Sequence, residues 1–235
     1  ESQPDMNSIC KNAIDTVDYG DFVVLYSHDK MLVEVSITRG GKYENHNGIF
    51  PHSSFVGRKF GEKVYSESMR GSVYILRHSS TLHTTCLSHR TQILYAPDIS
   101  IVLFQCDMKS GSIVVESGTG SGSLSTSIGK TVLPTGHLYT FEFNEQRVKM
   151  AQKEFKAMGM DKFITCTHRD VLADGFNLDT EIDGEPTNLD DKADAIFLDL
   201  PSPWKALGHA HKVLKHNGRL CNFSPCIEQV QKVCL

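Results

Sequence analysis

Between Val115 and Ser123 the chain reads Val-Glu-Ser-Gly-Thr-Gly-Ser-Gly-Ser, with glycines at alternate positions behind a short apolar run. Glycines in such a loop tolerate positive φ and let bare backbone N–H groups approach a ligand. Glu116, Ser117, Gly118, Gly120, Ser121, Gly122 and Ser123 are therefore candidates for holding a nucleotide-containing cofactor. A glycine loop alone also suits a nicotinamide dinucleotide. The spacing argues against that, because Gly122 follows Gly120 by two residues where the dinucleotide pattern needs three. Glu116 argues the same way. A carboxylate at the strand end repels a pyrophosphate, whereas it reaches the ammonium of a methionine moiety directly or through water. The loop favours S-adenosylmethionine.

Three further carboxylates follow at strand ends. Glu142 closes the next apolar strand and can accept both hydroxyls of a ribose, although Asn144 beside it also makes it a helix N-terminal charge. Asp170-Val171 ends a third strand, where a carboxylate can take an adenine amino proton. Asp199-Leu200-Pro201-Ser202-Pro203-Trp204 follows a fourth strand. Open α/β sheets bind ligands at that end. An acid, prolines and an aromatic in this order recur where enzymes methylate nitrogens of nucleobases; the plainer alternative is a proline-rich turn with a core tryptophan.

The elements that must position these groups read as two patterns. Phe22–Tyr26, Met31–Thr38 and Ser72–Leu76 are rich in β-branched and aromatic residues and are broken by Arg39-Gly40-Gly41, His46-Asn47-Gly48 and Gly57. They predict a small β-barrel or β-sandwich. After a connector, Asp98 is placed to cap a helix over Ile99–Met108. From Ser112 strands and helices alternate: Ile113–Glu116, Ser123–Lys130, His137–Glu142, Glu145–Met158, Ile164–His168, Ala195–Asp199, Trp204–Leu214 and Arg219–Phe223, with Asn217-Gly218 ending the last helix. Right-handed crossovers then give a parallel, doubly wound α/β sheet. The expected divisions are a flexible 1–17, a β domain over 18–80 and the α/β domain over 81–235. The acidic stretch 174–192, with Asp179, Glu181, Asp183, Glu185, Asp190 and Asp191, is expected to be a solvated, mobile insertion.

Composition narrows the classes. No apolar run approaches the ~18 residues of a membrane helix, and the first residues lack a secretory apolar stretch, so an intracellular protein without membrane contact is expected. The 7 cysteines are scattered without a CxxC pair and the 11 histidines show no ligand spacing, so reduced thiols and no metal are expected. A formal net charge of −4 is unusual for a protein that binds nucleic acid unaided, since phosphate neutralisation supplies much of that affinity. An RNA substrate would call for a local basic patch or a partner's surface.

With these residues in place, the chain resembles the catalytic subunits of the eukaryotic tRNA adenine-58 N1-methyltransferases, a family of Rossmann-like class I methyltransferases. The likeness is densest at His89-Arg90-Thr91-Gln92-Ile93-Leu94-Tyr95, Glu116–Ser123, Asp199–Trp204 and Phe223-Ser224-Pro225-Cys226-Ile227-Glu228-Gln229. It implies a cofactor site of Gln92, Leu94, the Glu116–Ser123 loop, Glu142, Arg147, Asp170, Val171 and Asp199, with Asp199 catalytic. It also implies a tRNA-facing rim of Gln92, Ile93, Leu94, Tyr95 and Ala96, of Ser117–Leu124, and of Asn222, Phe223, Ser224, Pro225, Cys226, Ile227, Glu228 and Gln229, with Pro203 and Trp204 as further substrate contacts. In the β domain, Tyr26, Ser27 and His28, then Lys42, Tyr43, Glu44, Asn45, His46, Asn47, Gly48 and Ile49, and Gly71 with Ser72, match further substrate-contacting segments. The family works in the nucleus as a heterotetramer with a related non-catalytic subunit that supplies much of the tRNA binding, which fits the acidic balance.

Two features depart from the family. The acidic 174–192 stretch is longer than in animal relatives. The chain also stops at Leu235 after five strands, whereas a complete sheet of this class has seven, so a truncation, an isoform or a further tail is expected. The implied chemistry is in-line attack by adenine N1 on a sulfonium methyl, on a base flipped into the pocket, with Asp199 taking a hydrogen bond from the exocyclic amine. Rival readings are a methyltransferase of the same fold acting on protein isoaspartate or a small molecule, a non-catalytic RNA-binding scaffold, and a nicotinamide oxidoreductase.

Overall fold

The computed structural model describes residues 15–28, 31–87, 92–178, 181–182, 185–186 and 188–235. The chain divides after Leu87 into two compact units. In the first, alternating apolar residues build an antiparallel sheet from β1 (Phe22–Ser27), β2 (Leu32–Ser36), β5 (Lys63–Tyr65) and β6 (Ser72–Arg77), in the order β2-β1-β6-β5. A separate hairpin, β3 (Lys42–Asn45) with β4 (Gly48–Pro51), completes the unit's sheets. Val23, Leu25, Ile37, Phe50, Phe55, Val73 and Ile75 fill its core. Helix α1 (Ser80–Cys86) closes the unit, and its start is capped by the Ser79 hydroxyl, which accepts from the Leu82 amide at 3.2 Å.

The second unit is one parallel sheet of β7 (Ile113–Ser117), β8 (His137–Glu142), β9 (Ile164–His168), β12 (Ala193–Leu198) and β13 (Leu214–Asn222), in the order β13-β12-β7-β8-β9. The chain winds outward from β7 on one side through β8 to β9, then returns to the other side for β12 and β13. Strand direction of travel thus reverses between β7 and β12, the position where such sheets bind ligands. Side chains alternate across the strands: Val114, Leu138, Ile164, Ala195 and Phe197 face one core, and Val115, Ile196 and Leu198 face the other. The first core is covered by α2 (Ala96–Gln105), α3 (Ser123–Val132) and α4 (Glu145–Ala157); the second takes α6 (Leu207–Val213). Between them in sequence, α5 (Val171–Asp174) precedes the short β10 (Glu181–Ile182) and β11 (Glu185–Pro186). Helix α7 (Ile227–Cys234) follows β13.

Four expectations are corrected here. Helix α2 begins at Ala96 with Pro97 in its first turn, so Asp98 sits inside that turn and is not its cap. The predicted helix over Trp204–Leu214 is a 3₁₀ turn, Pro203–Lys205, followed by the shorter α6, because Pro201 and Pro203 hold the entry open. Strand β13 starts at Leu214; Asn217, at φ 64°, sits in an irregularity between the Ala193–Leu214 and Ala195–Arg219 pairs and does not end a helix. The acidic stretch is not simply a solvated insertion, since Phe176, Leu178 and Leu189 are buried in the second core. Asn177 donates to Asp190 at 3.0 Å and Lys212 pairs with it at 3.3 Å, which ties both ends of the stretch down. Asp179 and Asp183 lie outside the described residues, as do His89, Arg90 and Thr91. Among the described residues no helix is long and apolar enough to cross a membrane.

Leu138 lies fully buried on β8 of the parallel sheet. We expect Leu138→Ala to cost about 2–5 kcal/mol, seen as a lower urea midpoint with an unchanged slope of the unfolding transition.

Candidate functional site

At the carboxyl ends of β7, β8, β9 and β12 a cavity of about 480 Å³ opens within the second unit. Its shape begins with the glycine loop. After Ser117 the chain must turn sharply from strand to helix, and Gly118, Gly120 and Gly122 take φ of 98°, 56° and 78° to do so. Gly118 N donates to the Phe141 carbonyl at 2.9 Å and Asp199 N donates to Ser117 O at 2.9 Å, so the loop is stitched to both neighbouring strands. A side chain at Gly118 would run into the Asp199 backbone carbonyl. Below the loop, Thr119 and Thr140 hydroxyls share a hydrogen bond of 2.7 Å.

Glu142 holds the loop from the side. One carboxylate oxygen accepts from Gly120 N at 3.0 Å, and the other accepts from Asn144 N at 3.0 Å and from Arg147 Nη2 at 2.8 Å. Asn144 does cap α4, its side chain accepting from the Gln146 and Arg147 amides. Cap and carboxylate therefore act together, and the capping reading of this strand end does not exclude the binding one. Asp170 is likewise the N-cap of α5, accepting from Leu172 N at 3.0 Å, while it also lines the cavity.

The electrostatics are dominated by carboxylates from three strand ends. Glu116 is 1% exposed and hydrogen-bonded by the Ser125 hydroxyl at 2.6 Å. Burial pushes its pKa up to about 7; hydrogen bonds from Ser125 and Thr140 oppose this, while the charges of Asp199 and Glu142 add to it. Asp199 is raised for the same reasons, burial first and then Glu142. The guanidinium of Arg147 neutralises Glu142 in part, and its Nε is buried without a partner. Crowded acids facing a cavity disfavour a pyrophosphate and suit a ligand carrying positive charge.

Of the sequence-derived cofactor residues, Gln92, Leu94, Glu116, Ser117, Gly118, Gly120, Ser121, Ser123, Glu142, Arg147, Asp170, Val171 and Asp199 line this cavity, as does Ile93 of the rim. Gly122 lies behind it as the N-cap of α3, packed near Phe155. Leu200 and Pro201 of the Asp199–Trp204 motif also line it, and so do Phe141, Phe143, Arg169, Leu172 and Phe197, which carry no such motif in the sequence. Phe143 carries a legible signal, an aromatic directly after Glu142 where the strand ends, and it is 70% exposed. The other rim residues, Tyr95, Pro203, Trp204 and Asn222 to Gln229, do not line the cavity. Pro203 is buried, and the Lys232 ammonium stands 4.8 Å over the ring of the half-buried Trp204. Phe223 N donates to Leu198 O at 2.9 Å, which carries the Asn222–Gln229 segment past the strand end that bears Asp199. Ser224 accepts from Asn222 at 2.7 Å; the buried oxygens of Asn222 and Gln229 have no partner.

The β-domain residues gather within the first unit. The turn of Asn45–Gly48 packs on Gly71, where a side chain would strike the Asn47 carbonyl. Ser72 pairs with Tyr65, and Ser27 pairs with Val73 beside it. Tyr26 and His28 each lie 6.3 Å from the Tyr74 ring. Lys42 pairs with Glu44 at 3.2 Å on the exposed hairpin, whose two strands also carry Tyr43 and Ile49.

A doubly wound parallel sheet with a glycine loop after its first strand and an acid after its second defines the fold of the S-adenosylmethionine-dependent methyltransferases. Similar solved structures include an S-adenosylmethionine-dependent O-methyltransferase of Thermotoga maritima, 28% identical, with a TM-score of 0.76 over 96% of this chain and 79% of that one. A tRNA (m1A58) methyltransferase of Aquifex aeolicus is similar in fold, at 21% identity and a TM-score of 0.68 over 93% and 80% of the two chains. The family described as "tRNA methyltransferase complex GCD14 subunit" matches residues 71–235, and the chain belongs to it. Among curated relatives, the tRNA (adenine(58)-N(1))-methyltransferase catalytic subunit of Dictyostelium discoideum is 44% identical over 92% of this chain, and that of Schizosaccharomyces pombe 41% over 92%. The chain spans 67% and 58% of their lengths.

The raised Glu116 pKa has a consequence for stability. Folding favours the protonated form, so this contribution is full below the ordinary value of 4.5 and is lost as pH rises towards about 7. We expect Glu116→Gln to flatten the fall in melting temperature over that window and to stabilise the ligand-free protein above it, by on the order of 3 kcal/mol. Calorimetric scans across pH check this; a parallel fall in both proteins contradicts it.

Proposed function

We propose that this chain is the catalytic subunit of a tRNA (adenine-58-N1)-methyltransferase that uses S-adenosylmethionine. The observation that carries the proposal is the cavity itself, a glycine loop ringed by Glu116, Glu142 and Asp199. Bound there, S-adenosylmethionine supplies a methyl group on an electron-poor sulfonium sulfur. Glu142 keeps lone pairs beyond its hydrogen bonds to the loop and to Arg147, and these accept the ribose hydroxyls. Asp170 accepts from the adenine amino group, and Phe143 offers an apolar face beside it. Glu116, ionised next to a cationic ligand, pairs with the methionine ammonium.

The substrate adenine enters on the Asp199 side. Its N1 bears a lone pair and no hydrogen, so no general base precedes attack on the methyl carbon. The bound cofactor would supply an electrophilic methyl group to N1 and depart as the neutral thioether, and the methylated ring would carry the positive charge. Asp199 accepts a hydrogen bond from the exocyclic amine, which orients N1 and opposes the positive charge developing on the ring. Because N1 is turned inward by pairing in folded tRNA, the base must be flipped out, at a cost of a few kcal/mol. The formal charge of −4 supports a partner that lends RNA-binding surface, and the family resemblance supports a related, non-catalytic subunit in a heterotetramer that works in the nucleus.

The test is methyl transfer to tRNA by this chain with and without the related subunit, with modified nucleosides identified by mass spectrometry. We expect 1-methyladenosine at position 58 only with the partner, and a loss of about 10²–10³-fold on Asp199→Asn with complex assembly intact. Substantial turnover by Asp199→Ala removes Asp199 from the mechanism, and robust activity of the chain alone contradicts the borrowed surface.

A further inference from the structure

Within the first unit, far from the glycine loop in sequence, the fold brings one carboxylate and two imidazoles together. A single oxygen of Glu34, Oε1, accepts from His78 Nε2 at 2.8 Å and from His83 Nδ1 at 2.8 Å. The three groups come from three elements. Glu34 stands on β2 opposite Val24, and Val24 in turn stands opposite Leu76 of β6, so Glu34 and Leu76 share a face of the sheet. His78, two residues past Leu76, follows on that face as β6 ends. His83 reaches the same point from α1, whose first turn is fixed by the Ser79 cap.

This cluster is sheltered. The side chains of Glu34, His78 and His83 are 17%, 9% and 2% exposed. The two imidazole centroids are 5.6 Å apart, and the Phe22 ring packs edge-on against His78 at 5.0 Å. One potential donor atom from each residue lies within 4.8 Å of the other two. Donor atoms around a four-coordinate zinc, each ~2.1 Å from it, stand about 3.4 Å apart, so small side-chain adjustments bring all three to one centre. Two histidines and one glutamate form a donor set that binds zinc with a fourth position left for water or another ligand.

We propose that Glu34, His78 and His83 form a binding site for a divalent transition-metal ion of the zinc type. The ion replaces the two N–H···O bonds with three metal bonds, the displaced protons passing to His78 Nδ1 and His83 Nε2 as each neutral ring changes tautomer, or to solvent from a charged ring, and it cross-links β2, the end of β6 and α1. Glu34 enters ready for this, held down at about 2: burial raises its pKa, but the hydrogen bonds and charges of His78 and His83 outweigh burial. Cys86, one turn beyond His83, is pushed up to about 11 by burial and by the Glu34 charge, so its thiol stays protonated. The inference is independent of the proposed transferase activity, because every residue in it belongs to the first unit.

The test uses the full chain after treatment with a chelator, titrated with cobalt(II) and then zinc(II). We expect the visible ligand-field absorption of low-coordinate cobalt to saturate at one equivalent, zinc to displace it, and the melting temperature to rise with zinc. Affinity should fall on acidification, because protons compete with the metal for the imidazole nitrogens. Glu34→Gln and His78→Ala, verified as folded by circular dichroism, should each weaken binding more than about 100-fold, while His211→Ala on the exposed face of α6 should not. Absence of one-equivalent saturation in the unsubstituted protein overturns the proposal. So does unchanged affinity in either folded variant, which would place the cobalt on surface histidines.

Discussion

The carboxylate of Glu142 ties together the parts that make the cavity. It is 4% exposed and stands where β8 ends, with the glycine loop on one side and the start of α4 on the other. Its two oxygens take a loop amide, a turn amide and a guanidinium, each at 2.8–3.0 Å. A buried carboxylate is costly unless such bonds compensate it, and a glycine loop with three positive φ angles has little rigidity of its own. Each solves the other's problem. The loop amide satisfies the charge, and the charge fixes the loop with Gly120 N directed at the cavity side of the strand end.

That arrangement concentrates negative charge. Glu116, Glu142 and Asp199 each raise or are raised by one another, and Arg147 offsets only part of the excess. The ligand-free fold bears the cost in the form of a Glu116 that holds its proton near neutrality. A cationic ligand removes the cost, since it favours the ionised acids it sits among. The same arrangement that destabilises the free protein therefore sets the sign of the ligand. Asp199 joins the two halves of the chemistry, because its backbone N–H anchors Ser117 while its carboxylate stands at the cavity wall.

Much of this was legible because the relevant signals are local. A strand, three alternate glycines and the start of a helix fall within a dozen residues, and each later acid marks the end of its own apolar run. What escaped depends on contacts between distant residues. Glu34 lies 44 and 49 residues from the imidazoles it meets, so no spacing in the chain announces the cluster. The Lys232 ammonium over the Trp204 ring is likewise a pairing that no local pattern announces. The acidic stretch reads as solvated because its charges outnumber Phe176, Leu178 and Leu189, which nonetheless anchor it in the core. The start of α2 was misplaced by a subtler competition: Pro97 fits the first turn of a helix, where its missing N–H costs nothing, and so outranks Asp98 as the boundary marker.

The central claim is that a loop held by Glu142 and surrounded by acids selects a cofactor carrying positive charge over one carrying a pyrophosphate. Isothermal titration of the chain with S-adenosylhomocysteine, whose amino acid keeps the ammonium, and with a nicotinamide dinucleotide tests it most directly. The account predicts saturable binding of the first at one site, loss of that binding in Glu142→Ala, and no measurable heat from the second. Binding of the dinucleotide, or tight S-adenosylhomocysteine binding that survives Glu142→Ala, would contradict it.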